Sequence, residues 1–158
     1  GILLAEIQQS SDVTYRIFDY NRLGLDGAPR ELHTELASKA IDYNVYSEYR
    51  TIYPKDYDRA NRCISSPFFN VRMVDVNGPF HRNLKKYDSF IITMCIKGNC
   101  CISIRDNGYA IVLNEGHSCL IPASIADYDI IPLNGTKVQL LDAFINNKST
   151  NPFKVIFG

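Results

Sequence analysis

The chain has 158 residues, 46% of them hydrophobic, and its 17 basic side chains balance 17 acidic ones. That length fits one domain, or one plus part of another, with enough apolar mass for a core. Zero net charge leaves no basic footprint for nucleic acid or a membrane surface, and no window approaches the run of about 18 apolar residues that spans a bilayer.

In chain order, "ILLAEIQ" at 2–8 and "VTYRIFDY" at 13–20 read as two extended segments, with the turn formers "QSSD" between them. "GLDGAP" at 24–29 is a turn, and "TELASKAIDY" at 34–43 is the one good helix. Thr34 is placed to cap that helix, and Leu36, Ala37, Ala40 and Ile41 form its apolar stripe. Residues 44–70 are Tyr-rich and irregular, a connection lying on the surface of the β-rich remainder.

From residue 71 the pattern is short strands: "VRMVDV", "SFIITMCIKG", "CISIRDNGYAIVL", "SCLIPA", "DYDIIPL", "KVQLLDAFI" and "FKVIF". Turn residues recur at intervals of about eight to twelve positions, which implies a β-sandwich or jelly roll. Asn107-Gly108 is the strongest hairpin signal. The composition shifts near residue 45, so the polar strand pair and helix before it read as the end of another domain.

The five cysteines, Cys63, Cys95, Cys100, Cys101 and Cys119, match no zinc spacing, even with His117 nearby. They read as reduced thiols in a cytoplasmic protein. Adjacent Cys100 and Cys101 point to opposite faces of a strand.

Two positions carry the candidate chemistry. Alternation puts Leu4, Glu6 and Gln8 on one face of the first segment; Glu6 is either a solvated edge carboxylate or, facing a cavity, an acid/base or metal-site group. Arg16 lies among aromatic neighbours. It either pairs structurally with Asp12 or Asp19, or presents its planar fork to a phosphate or carboxylate. His33 is given no role, and His117 reads as structural beside a tight turn at Gly116. His81, Arg82, Lys85 and Lys86 form a local basic cluster, either a solvated loop or a phosphate site.

The run Glu6-Ile7-Gln8-Gln9-Ser10-Ser11-Asp12, then Thr14-Tyr15-Arg16, then Asp19-Tyr20-Asn21-Arg22, Asp26-Gly27 and Pro29-Arg30-Glu31-Leu32-His33 closely resembles the bacterial short-form class I mannose-6-phosphate isomerases. These are zinc-dependent enzymes of the cupin superfamily. "EGHSCLIPAS" at 115–124 resembles a cupin turn and strand. The likeness is strong to about residue 42 and looser beyond.

It implies a mainly β, cupin-like jelly roll or sandwich at 46–158. A linking helix at 31–45 would precede it, after the terminal strands of an upstream catalytic cupin domain at 1–30. It implies interconversion of mannose 6-phosphate and fructose 6-phosphate, with Arg16, Glu6 and Asp12 in the active site. The zinc ligands are expected upstream of Gly1, so a C-terminal fragment is expected to hold no active-site zinc and to be inactive alone. The strand at 2–8 is expected to pair with "VTYRIFDY" and to dock on the sandwich or on a second copy, giving a homodimer. The competing reading is a non-catalytic cupin-like module that binds a sugar or a protein.

Overall fold

A computed structural model describes residues 4–8, 10 and 13–145. It divides into two units, residues 1–50 and 51–158. The composition shift lies a little earlier, near residue 45. Ties within the first unit carry its limit further: the Tyr46 hydroxyl donates to Asp42 at 2.6 Å, the Tyr46 amide donates to the Tyr49 hydroxyl at 2.9 Å, and the two rings meet edge to face.

In the first unit the expected strand pair is not formed. Among the described residues neither 4–8 nor 13–18 enters a strand. An isolated two-stranded pair is marginal in water, and side-chain ties organise residues 16–33 instead. The helix α1 is Thr34–Ala40. Its N-cap is His33, not Thr34, with no side-chain cap. Of the expected stripe only Ala37 is buried, because Leu36 and Ile41 remain about half exposed at 48% and 44%. The "GLDGAP" turn is present: Gly27 takes φ 76°, the Ala28 amide donates to Asp26 Oδ1, and Leu23 bridges Pro29.

The second unit is a sandwich of two antiparallel sheets. Its strands are β1 (Arg59–Ser65), β2 (Asn70–Val76), β3 (Phe80–Asn83), β4 (Ile91–Lys97), β5 (Cys100–Ile104), β6 (Ala110–Leu113), β7 (Ser118–Ile121), β8 (Asp127–Pro132) and β9 (Val138–Phe144). One sheet runs β1-β2-β9-β4-β7 and the other β3-β8-β5-β6. The fold is mainly β, the sandwich that the strand pattern predicts and the cupin-like architecture that the resemblance implies.

The core follows the period of two. Val74 and Val76 face inward from β2, Ile91 and Cys95 from β4, Cys100 and Ile102 from β5, Tyr128 and Ile130 from β8, and Val138 and Leu140 from β9. Each large aliphatic side chain sealed there contributes about 1.5–3 kcal/mol. Cys100 is fully buried while Cys101 is only partly so, as opposite faces require.

Two strands lie where the sequence reads as loop. β1, "RANRCIS", is an edge strand whose one buried residue is Asn61, so it shows no apolar alternation. β3, "FHRN", turns Arg82 into the core and leaves His81 and Asn83 outside. The hairpin at Asn107-Gly108 forms, but with a loop of Arg105 to Gly108. Gly108 takes φ 68° and donates to the Ile104 carbonyl, while Asn107 keeps negative φ. That geometry is the longer loop with a left-handed glycine, not the two-residue type I′ turn. "FKVIF" lies outside the described residues.

Candidate active-site arginine and its frame

Arg16 is half-buried and tied to the start of α1 at three points. Its amide donates to His33 Nδ1 at 3.1 Å, its carbonyl accepts from the His33 amide at 2.7 Å, and its Nη1 donates to the Glu31 carbonyl at 2.9 Å. His33, left without a role by the sequence, is therefore the pin that fixes the arginine's backbone.

The structural ion pair weighed for Arg16 falls elsewhere. Asp19, only 5% exposed, is held between two other arginines. Arg22 donates Nε at 3.0 Å and Nη2 at 2.5 Å to its Oδ1; Arg30 donates Nε at 2.5 Å to Oδ2 and Nη2 to Oδ1. The Arg30 hydrogen bonds, helped by Arg22, hold the Asp19 carboxyl well below the usual carboxylate range against the opposing effect of desolvation. Tyr20 and Asn21, both at positive φ, turn the chain so that Arg22 reaches back. The 24–29 turn returns Arg30 to the same carboxylate. With Asp19 engaged, Arg16 has no carboxylate partner among the described residues.

The remaining expectations divide. Glu6 is exposed and makes no hydrogen bond or ion pair among the described residues, so no contact there joins it to Arg16. Asp12 lies outside the described residues. The basic cluster is dispersed. His81 meets Asp129 at 3.1 Å and Asp127 at 3.3 Å, Lys85 stands 3.9 Å from Asp127, and Arg82 is buried against Asp142. Strand alternation splits such a cluster, and the sequence of β3 does not show it to be a strand. His117 sits exposed at the Gly116 turn, its Nδ1 3.2 Å from the Glu115 carbonyl. All five cysteines are free.

Among the described residues no group of three His, Cys, Asp or Glu could hold a metal ion. The zinc implied by the resemblance has no fitting ligand set here. Asp19, Arg22, Arg30 and His33 are the frame that sequence reading did not assemble. Their signal is an acidic residue followed by two arginines that flank a glycine turn.

Residues 60–136 match the model of the mannose-6-phosphate isomerase cupin domain. The Bacillus subtilis protein YvyI is 30% identical over 132 residues, covering 82% of this chain and 40% of that protein. The mannose-6-phosphate isomerase ManA of Bacillus subtilis is 26% identical, over 82% of this chain and 41% of ManA. The crystal structure of the mannose 6-phosphate isomerase from Bacillus subtilis superposes with a TM-score of 0.64 at 26% identity, over 85% of this chain and 41% of that one. The chain thus spans about 40% of the length of the curated isomerase relatives it matches. No helix among the described residues is long and apolar enough to cross a membrane.

Proposed function

We propose that this chain serves a sugar-phosphate isomerase that interconverts mannose 6-phosphate and fructose 6-phosphate in a reducing, cytoplasmic setting, and that Arg16 is its contribution to the active site. The observation that carries the reading is the frame: Asp19 is occupied by Arg22 and Arg30, while His33 and Glu31 fix Arg16 with its fork free of any described carboxylate. A guanidinium so held suits an oxyanion, either the substrate phosphate or the enediolate oxygens that gain charge as a proton moves between C1 and C2.

Glu6 and Asp12 are the proposed acid/base partners, and the exposure of Glu6 supports a role only once further chain encloses it. The 158 residues alone are then inactive, with any zinc ligands on residues preceding Gly1. The test is an amide-shift titration with mannose 6-phosphate and mannose, read at residues 14–33, beside a coupled isomerase assay. A phosphate-dependent shift of those amides that is lost in Arg16→Gln, without turnover, supports the reading. Turnover by this chain, or equal shifts of those amides in the variant, overturns it.

A further inference from the structure

A second basic site lies wholly within the sandwich and takes no part in the chemistry proposed for Arg16. Along the free edge of β1 runs a groove of about 730 Å³ lined by Ile52, Pro54, Arg59, Asn61, Arg62 and Arg72. That volume suits a small ligand. Arg62 stands directly opposite Arg72 in the β1–β2 register. Like charges so placed repel, a cost that an anion between them removes. Arg62 has no carboxylate partner among the described residues. Arg72 donates to the Tyr87 hydroxyl and lies 5.2 Å over that ring and 5.1 Å over Phe144, so it is held in position before any ligand arrives. Asp142, opposite Arg72 on β9, is already taken by Arg82 and Thr93. Arg59 is only partly offset by exposed Asp56 at 3.3 Å.

Asn61 adds the second, independent observation. It is 3% exposed, its Nδ2 is fixed on the Asp56 carbonyl at 2.7 Å, and its Oδ1 has no donor among the described residues. A buried acceptor without a donor is costly, and it asks for an O–H or N–H from a ligand in the groove it lines.

We infer that this groove binds a small phosphomonoester bearing hydroxyl groups, its phosphate between Arg62 and Arg72 on one face of β1 and a hydroxyl reaching round the free edge to donate to Asn61 Oδ1 on the other. An added acidic strand fits less well, because the register shift between Arg62 and Ile64 breaks the edge that such a strand would follow.

The experiment is a titration of the 15N-labelled chain with sorbitol 6-phosphate, sorbitol, inorganic phosphate and a hexa-glutamate peptide, followed by amide shifts. Sorbitol 6-phosphate is expected to shift β1 amides with a dissociation constant at or below about 1 mM. Sorbitol and inorganic phosphate bind more weakly. Arg62→Gln, at an exposed position, keeps the remaining spectrum and weakens binding about tenfold or more, while Arg16→Gln leaves the β1 shifts unchanged. Three results overturn the proposal: shifts that spare β1, equal affinity in Arg62→Gln, or phosphate alone binding as tightly. Tighter binding of the peptide overturns it in favour of a strand partner. Loss of the β1 shifts in Arg16→Gln overturns it too, and assigns the ligand to the Arg16 site.

Discussion

Arg82 Nη1 lies 2.8 Å from Asp142 Oδ2, with both side chains buried inside the sandwich at 5% and 1% exposure. Thr93 donates to the other carboxylate oxygen at 2.8 Å, and the Arg82 guanidinium sits 5.8 Å from the Tyr128 ring centre. Burial works against the charge on Arg82, and the field of Asp142 more than restores it. Removing either partner leaves an uncompensated buried charge, so Arg82→Met or Asp142→Leu should each lower stability by about 3–5 kcal/mol. The double variant Arg82→Met/Asp142→Leu should recover most of that loss. Urea unfolding of the four proteins checks both statements; a double variant as weak as the sum of the singles contradicts them.

The Asp19 clamp gives a pH dependence of definite sign. A carboxyl whose folded pKa lies below its ordinary value of 3.8 adds stability in full above that value, and the contribution is lost as the pH falls toward the folded value. Acidification below about pH 4 should therefore release the 16–33 region, seen as a fall in the exchange protection factors of the Arg22 and Arg30 amides, which are corrected for the intrinsic pH dependence of exchange. In Asp19→Asn the same protection factors should already be low at neutral pH, with little further change on acidification.

Gly98 and Gly108 both take positive φ, at 78° and 68°, yet they should respond differently to alanine. A Cβ at Gly98 would stand 2.5 Å from the Lys137 carbonyl oxygen, whereas nothing lies within 4 Å of one at Gly108. Gly108→Ala should cost about 1 kcal/mol, the left-handed penalty alone. Gly98→Ala should cost at least ~2 kcal/mol, because backbone must also move. Paired thermal melts measure the gap.

The cysteines should separate by face. Burial pushes the Cys100 thiol up to about 12 and that of Cys119 to about 11. At pH 8 iodoacetamide should modify Cys101 first and leave Cys100 untouched until the sandwich unfolds globally. Peptide mass spectrometry over a time course reads this directly; equal rates at the two neighbours contradict the burial.

The strands with alternating apolar residues, β2, β4, β5, β8 and β9, were legible because one face of each meets the core. β1 and β3 were not, since the one buried position in each is polar, Asn61 in the first and Arg82 in the second. The same cause broke up the basic cluster at 81–86. Periodicity assumes that buried means apolar, and a buried ion pair violates the assumption at the one place where it decides the strand. At the candidate site Arg16 was legible as an arginine among aromatics. Its pairing was not: whether Asp19 takes Arg16 or Arg22 and Arg30 depends on two turns, and only three-dimensional closure decides between them.

The order β1-β2-β9-β4-β7 places the last described strand in the middle of its sheet. β2 and β4 each pair with β9, in seven and six matched positions respectively, and not with one another. During synthesis both must therefore wait, edges open, until residues 138–144 clear the ribosome. Closure of the larger sheet is a late, long-range event that ought to be slow and vulnerable to self-association. A nascent chain that has emerged only as far as Lys137 would hold all the strands of the smaller sheet while the larger is still split in two.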